Sequence, residues 1–583
     1  MVTAASDAHD SGLGTGPEPI EILRGARGYA VPHVRQPIDL HLHANERVVL
    51  PASVSDALAS VPADAARTYP DAGRLESLFA DRFGISPDRV LATAGGDESL
   101  DRVCRAFLEP GREMVLAVPS FEMIERYGRL ARGEIVRVAW DAPRFPIDAV
   151  LAAVTDRTAV IPIVSPNNPT GWAATAEEVT RVARAAPRAL IVLDCAYAEY
   201  MEEDPTPAGL AEPNVVVIRT LSKAWGLAGL RVGCAAGPAG VIAAMRAAGG
   251  PYSVAQPSIQ VAHARLGGDT SDVAAHAARV RTERDELIDL LGRLDFTVSA
   301  QQANFVFARS SRSGWVREAL AGLGIGIRGW PGRAGLDDAV RITLPGDEQM
   351  YERLVAGVRA ALEPEALLFD MDGVLADESV SYHAAVIQTA AGLGVTVTRD
   401  DIVAAKAAGN SNDDWALTYR FVTQAGVDIA FEALVERFES IYQMLREQEP
   451  MIFPRESLER LASRVPLAIV TGRPRGDAAR FLEAHDAGRY FTTVVTMNCT
   501  ETHKPDSAPV REALTRLGVT RAWMIGDMPD DQTAARGAGV VPLGTIAPGM
   551  SASVMGPALE SAGAARVFER SADFAGFAEE VLG

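Results

Sequence analysis

Cysteine is scarce in this 583-residue chain. Cys104, Cys195, Cys234 and Cys499 stand far apart, with no CxxC pair among them. That spacing argues against a disulfide framework and against a thiolate zinc site. Positive charge is also in deficit: 56 Lys and Arg face 76 Asp and Glu, for a net charge of −20. An acidic chain without a basic block is a poor partner for nucleic acid or an anionic membrane. No apolar run approaches the ~18 residues a membrane-spanning helix needs. The opening MVTAASDAHDSGLGTGPEP has no apolar core of the kind that directs secretion. Internal repeats and low-complexity tracts are missing too. The expectation is a cytoplasmic protein working on small molecules.

What is present is the composition of several packed cores. Hydrophobic residues are 48% and charged residues 23%, close to the globular average. At roughly 100–200 residues per domain, the length calls for three or more compact units. Residues 1–16, rich in Gly, Ser, Asp and Thr, read as a disordered tail. Beyond them, short β-branched runs at 113–118, 158–164, 189–194 and 214–220 lack alternation, as strands covered on both faces do. Helical patterns such as 175–186 and 276–293 intervene or follow, which predicts α/β architecture. A second start lies near 363, where a helical pattern closes at Pro364 and ALLFDMDGVLAD (366–377) opens a new strand. With no Gly/Ser linker between them, the two halves are expected to have little relative freedom. Further buried-strand runs occur at 466–472 and 522–527, and 378–455 reads as helical.

The first half carries RTLSKAWGLAGLRVG (219–233), a strand ending in Ser222-Lys223 with Arg231 beyond a Gly-punctuated turn. A lysine at a strand end can condense with a cofactor aldehyde. A hydroxyl and a forked guanidinium suit a phosphate dianion. SPNNPTG (165–171) is a turn dense in Asn, Pro and Gly behind a buried strand. LIVLDCAYAEY (190–200) puts Asp194 at a strand end, where a carboxylate is costly unless it meets a cation. A pyridinium nitrogen is such a cation.

Together these segments resemble fold-type I pyridoxal phosphate enzymes of the class I/II aminotransferase group, and within it the histidinol-phosphate aminotransferases. The likeness covers residues 17–362 and takes in LHANE (42–46), TYPD (68–71), TAGGDESLD (93–101), QQANFVFAR (301–309) and VRITLPG (340–346). It implies Lys223 as the lysine joined to pyridoxal 5′-phosphate and as the proton shuttle. Asp194 would pair with the ring nitrogen, while Asn168 and Tyr197 would contact the ring hydroxyl. Ser222, Arg231 and the amides of Gly96 and Asp97 would hold the phosphate. Tyr69 would reach it from a partner subunit, implying a homodimer. Arg341 would grip a substrate carboxylate, with Asn45 and Asn304 nearby. Two departures concern substrate choice: Arg47-Val48 follows Asn45-Glu46, and the ring-stacking position holds Phe121 instead of tyrosine.

In the second half, FDMDGVLAD (369–377) places Asp370 and Asp372 on one loop, alternating to the same side. Two repelling carboxylates suggest a bound cation. Thr471 ends a strand, Lys504 stands in THKPD, and IGDMPDD (525–531) ends another apolar run with Asp527, Asp530 and Asp531. Polar residues thus gather at the carboxyl edge of a sheet, where α/β folds bind ligands.

This order of four motifs resembles the haloacid dehalogenase superfamily over residues 366–583, a Rossmannoid α/β domain with an inserted helical cap at about 378–455. The resemblance implies Asp370 as nucleophile and Asp372 as general acid, then base. Thr471 and Lys504 would hold the phosphoryl group. Mg²⁺ would bind Asp370, Asp527, the backbone carbonyl of Asp372 and Asp531, with Asp530 an alternative. In the cap, Lys406, Asn410 and Asn412 are candidates to read the leaving group, or simply a capped turn. The resulting expectation is a bifunctional enzyme in which an aminotransferase acting on a small-molecule amino donor and acceptor is fused to a phosphatase of phosphate monoesters. The alternative is a decarboxylase or oxidase of a (phospho-)amino acid with an associated phosphatase. The sequence does not order the two reactions.

Overall fold

The computed structural model describes residues 19–24, 28, 34–409 and 413–582. The tail read at 1–16 and the candidates Asn410 and Asn412 lie outside them.

Three sheets organise the chain. The first has seven strands in the order Val90–Thr93, Gly233–Ala236, Val215–Thr220, Leu190–Asp194, Thr158–Val164, Glu113–Val118, Glu134–Ala139. Only Gly233–Ala236 runs antiparallel to its neighbours. Its central strands are buried along their whole length, as their unbroken Val/Ile/Leu composition requires of a sheet covered by helices on both faces. A smaller sheet orders Leu40–Leu42, Ile325–Gly329, Ala339–Thr343 and Phe305–Arg309, and brings the N-terminal approach segment beside the C-terminal part of the first half.

The third sheet is wholly parallel: Thr493–Val495, Leu467–Val470, Ala366–Phe369, Ala522–Gly526, Val541–Thr545, Arg566–Phe568. Between its first two strands in sequence lie the helices Tyr382–Gly392, Arg399–Ala407, Asp414–Gln424 and Phe431–Leu445. They carry a separate apolar core that includes Val386, Leu417, Leu434, Phe438 and Tyr442.

Helix Glu348–Leu362 and strand Ala366–Phe369 are separated only by Glu363, Pro364 and Glu365, and the two halves are packed tightly. Trp523, on a strand of the third sheet, donates its indole N–H to the Ala360 carbonyl at 2.7 Å. Trp315 does the same to Ala361 at 2.8 Å, and the two rings meet edge to face at 5.0 Å beside Phe577. Buried aromatics with satisfied N–H groups contribute much area at such a joint. Gly322 lies so close to Ala565 that a Cβ on it would stand 2.8 Å from the alanine methyl. Arg566 pairs with Glu318 at 2.7 Å, and Asp39 is held by Arg353 at 2.6 Å and Arg536 at 3.4 Å.

Candidate active sites

In the first half, strands Leu190–Asp194 and Val215–Thr220 are parallel neighbours in register, Asp194 opposite Ile218. Their carboxyl ends therefore share one edge. Asp194 sits there 6% exposed, its Oδ1 accepting the Ala196 N–H at 3.1 Å. Burial pushes its carboxyl up to about 7. Lys223, three residues past the neighbouring strand, donates from Nζ to the Ala44 carbonyl at 3.2 Å and lies 5.8 Å from the centre of the Tyr197 ring. Burial, reinforced by the Arg341 guanidinium, lowers its amine to about 8. A carboxyl shifted up near an amine shifted down is the mark of a site prepared for chemistry.

An uncapped helix start flanked by an arginine adjoins them. Helix Gly95–Phe107 begins without a side-chain cap, leaving first-turn amides for a ligand. Gly95 adopts φ +76, and a Cβ there would come within 2.5 Å of the Arg231 guanidinium. Arg231, itself left-handed at φ +52, lies 3.3 Å from the Ser222 hydroxyl and 3.2 Å from an Asp97 carboxylate oxygen. Gly96, Asp97, Ser222 and Arg231 are thus gathered at one helix start. The Asp97 carboxylate accepts from one guanidinium nitrogen of Arg231, Nη2.

A hydrogen-bonded network closes the other side. Asn45 donates to the Tyr197 hydroxyl at 2.9 Å, and its side-chain carbonyl accepts from Thr343 at 3.0 Å. Asn304 donates to the Asn45 carbonyl at 3.2 Å. Arg341 donates to Asn168 Oδ1 at 2.5 Å and to the His43 carbonyl at 2.7 Å. Phe121, Asn168 and Arg341 line a cleft of about 1270 Å³ that continues past Trp140 and Trp172. Tyr69 stands apart from this network, 82% exposed and stacked on Tyr252 at 4.8 Å. Arg47 is spoken for by Asp272 at 3.1 Å and the Ala224 carbonyl.

In the second half, Asp370 and Asp527 follow adjacent parallel strands, and Asp531 lies one turn into the helix Pro529–Gly537. Carboxylate oxygens of Asp370, Asp527 and Asp531 all lie within 4.8 Å of one another, and all three residues are buried. Gly373, at φ +66, lets the loop approach so closely that a Cβ would meet the Asp527 carboxylate at 2.5 Å. Burial and mutual repulsion raise Asp370 to about 8 and Asp527 well above its ordinary range. Lys504 offsets part of this, 2.8 Å from Asp370 and 2.5 Å from Asp531. Asp527 Oδ1 is buried without a hydrogen-bond partner, and an all-oxygen set of this kind suits a hard divalent cation.

Asp372 contributes no side-chain oxygen to that group, because its carboxylate is bound by Arg473 at 2.5 Å. Any part it takes at a metal is confined to its backbone carbonyl. Asp531 belongs to the cluster, whereas Asp530 lines the adjoining cavity of about 310 Å³ with Asp372, Thr471 and Lys504. Tyr382 and Trp415 of the helical insertion form its far wall. Lys406 is not among the lining residues; its ammonium is buried 2.7 Å from Glu378, which also meets His383 at 3.0 Å. Sequence reasoning missed Arg473, Glu378 and Glu449. For Arg473 the available signal was its place two residues after Thr471.

Comparison with known proteins follows the same division. The family model for class I and II aminotransferases matches residues 44–358, and that for haloacid dehalogenase-like hydrolases matches 367–544. A histidinol-phosphate aminotransferase of Sphingopyxis alaskensis is 37% identical over 320 residues, 52% of this chain and 85% of that protein. An aromatic amino acid aminotransferase of Rhodococcus opacus is 37% identical over 334 residues, 56% of this chain and 91% of its own. Among solved structures, histidinol-phosphate aminotransferase from Sinorhizobium meliloti in complex with pyridoxal-5′-phosphate aligns with TM-score 0.50 and 25% identity, covering 55% of this chain and 92% of that one. L-threonine-O-3-phosphate decarboxylase from Porphyromonas gingivalis aligns with TM-score 0.50 and 21% identity over 56% of this chain and 99% of its own, a likeness of fold alone. The α/β fold is that of fold-type I enzymes followed by a haloacid dehalogenase-like domain. Among the described residues, no helix is long and apolar enough to cross a membrane. The chain belongs to the class I and II aminotransferase family through residues 44–358, with a haloacid dehalogenase-like hydrolase domain joined behind it.

Proposed function

We propose that residues 17–362 transfer amino groups with pyridoxal 5′-phosphate and that residues 366–583 hydrolyse a phosphate monoester with Mg²⁺. The observation that carries the first half is the buried Asp194 carboxyl, at about 7, on the same sheet edge as the Lys223 amine, at about 8. Pyridoxal phosphate, when bound, supplies an electron sink for charge developing at the substrate Cα. Asp194 would hold a proton on the ring nitrogen and thereby gain the cation its burial demands. Lys223 Nζ, whose amine is lowered to about 8 and so loses its proton far more readily than an ordinary lysine, takes a proton from the substrate carbon and returns one. Tyr197 and Asn168 orient the ring hydroxyl, and Phe121 covers a ring face. Ser222, Arg231 and the amides of Gly96 and Asp97 bind the phosphate, while Arg341 holds a substrate carboxylate among Asn45 and Asn304. The exposed Tyr69 suits a role across a homodimer interface.

In the second half, Mg²⁺ would be held by Asp370, Asp527, Asp531 and the backbone carbonyl of Asp372, offsetting charge on the phosphoryl oxygens. Asp370 takes the phosphoryl group as an aspartyl-phosphate while Asp372 protonates the leaving alcohol. Asp372 then takes a proton from the water that releases phosphate. Thr471 and Lys504 hold the phosphoryl oxygens throughout. The names of the relatives favour a phosphorylated or aromatic amino compound, and histidinol phosphate is the first substrate to try.

A paired assay tests this reading. Purified protein with pyridoxal phosphate and Mg²⁺ receives histidinol phosphate and 2-oxoglutarate, and glutamate and inorganic phosphate are followed together. Both products are expected at about 1 s⁻¹ or faster. Carbon dioxide in place of glutamate from a phospho-amino acid would replace transamination by decarboxylation.

A further inference from the structure

Thr471 is followed by Gly472 and Arg473, and the Arg473 side chain is only 1% exposed. Its Nε and Nη2 both donate to Oδ1 of Asp372, at 2.8 and 2.5 Å. Neither bond is made to Oδ2. Its third arm, Nη1, donates to Glu449 at 2.8 Å. The rings of Tyr382 and Phe481 stand 5.2 and 5.4 Å from the guanidinium carbon. Ser381 donates to the other Glu449 oxygen at 2.6 Å.

These contacts converge where the chain leaves the third sheet for the helical insertion and where it returns. Ser381 ends the outgoing connection, Tyr382 opens the first helix of the insertion, and Glu449 lies on the returning connection. The two connections are tied to each other as well, Asp377 donating to the Pro450 carbonyl at 3.1 Å. Packing alone does not require such an arrangement, since an apolar side chain fills a buried site at lower electrostatic cost than a buried ion pair. The Asp372 side chain, 23% exposed, faces the cavity that Thr471 and Lys504 also line. Glu449 is not among the residues lining it.

We infer that Arg473 is a positioning residue for Asp372, and that Glu449 fixes Arg473 to the hinge of the helical insertion; this rests on the phosphatase reading above. With Oδ1 locked in the guanidinium fork, Oδ2 is the oxygen that exchanges protons. As the bond from phosphorus to the leaving oxygen breaks and the Asp370 carboxylate bonds to phosphorus, the proton on Oδ2 passes to the departing alcohol. Oδ2 then removes a proton from water as the water oxygen displaces Asp370 from phosphorus. The net reaction consumes one water and one ester and yields alcohol and phosphate. This junction thereby aligns the proton-transfer group together with the Tyr382 wall of the cavity.

The leaving group provides the test. An alkyl phosphate such as glycerol phosphate needs its departing alkoxide protonated, whereas nitrophenolate departs unassisted. The full-length protein with Mg²⁺ is assayed on both esters, as wild type, Arg473→Lys and Glu449→Gln. For Arg473→Lys, kcat/KM on the alkyl ester is expected to fall ~10²-fold, the lower range of general acid catalysis, with less than about threefold change on nitrophenyl phosphate. Glu449→Gln, which keeps the arginine and is not itself among the residues lining the cavity, is expected to show the same selectivity with a smaller loss. Equal losses on the two esters in both variants overturn the inference and leave Arg473 a packing or phosphate-binding group. A wild-type protein that hydrolyses neither ester, nor any other phosphate monoester, overturns instead the phosphatase reading beneath it.

Discussion

Lys223 Nζ lies 3.2 Å from the backbone carbonyl of Ala44. The Lys223 amine is thus held by the segment that the small sheet delivers, not by the strand that carries the lysine. Burial and the Arg341 charge disfavour its ammonium form, so raising the pH through about 8 frees it. In the cofactor-free protein, Lys223 should become half-reactive toward an acylating reagent near pH 8. An ordinary lysine requires about pH 10.4. Peptide mapping after labelling across pH reads this directly, and a midpoint at the ordinary value rejects the assignment.

Asp194 pays for burial in the absence of a cation. The displacement of its carboxyl to about 7 corresponds to about 4 kcal/mol of lost preference for the charged form. Asp194→Asn removes that buried charge, so it should retain the fold and lose amino-transfer rate by roughly 10²-fold or more, the scale of losing an electrostatic partner of developing charge. Glutamate formation measured beside far-ultraviolet dichroism separates the two effects.

The unpartnered Oδ1 of Asp527 makes a thermodynamic prediction. Mg²⁺ should raise the melting temperature, by the equivalent of about 2.7 kcal/mol at a hundredfold excess over Kd. The increment should vanish in Asp527→Asn. Calorimetry with and without a chelator measures it.

Asp370→Asn should remove phosphate release by at least ~10³-fold, as loss of a nucleophile does. Pyridoxal phosphate absorbance and glutamate formation should be unchanged, because Asp370 lies in a different sheet from Lys223 and Asp194. Parallel loss of both activities rejects the division of labour.

Trp523 is fully buried and bonded to the Ala360 carbonyl. Trp523→Ala should cost about 3–5 kcal/mol and lower the denaturant midpoint for both activities together. Retention of amino transfer after phosphatase unfolding rejects a shared core.

What the sequence made legible was local. Strand ends carrying Asp194, Asp370 and Asp527 follow unbroken apolar runs, and the runs at 113–118 and 158–164 coincide with the strands Glu113–Val118 and Thr158–Val164. The helix read from 276 begins at Ser271, and Asp272 near its start binds Arg265, seven residues before it, and the far-off Arg47. The Arg473 contacts, the Glu378–Lys406 pair and the Asn45–Tyr197 bond join residues 24 to 152 positions apart. No periodicity or turn chemistry encodes such pairings. Lys406 reads from the sequence as either a leaving-group contact or part of a capped turn, because its polarity is visible there and its buried partner Glu378 is not.

The close contact of Gly322 with Ala565 and the bond from Trp523 to Ala360 bear on how such a chain could be rebuilt. Cutting at Pro364 would expose the indoles of Trp315 and Trp523 on separate fragments, each a new apolar face prone to association. Exchange of the phosphatase for another of its fold would succeed only if the graft also carried the surface of residues 313–362. The joint, not either active site, sets the unit of recombination.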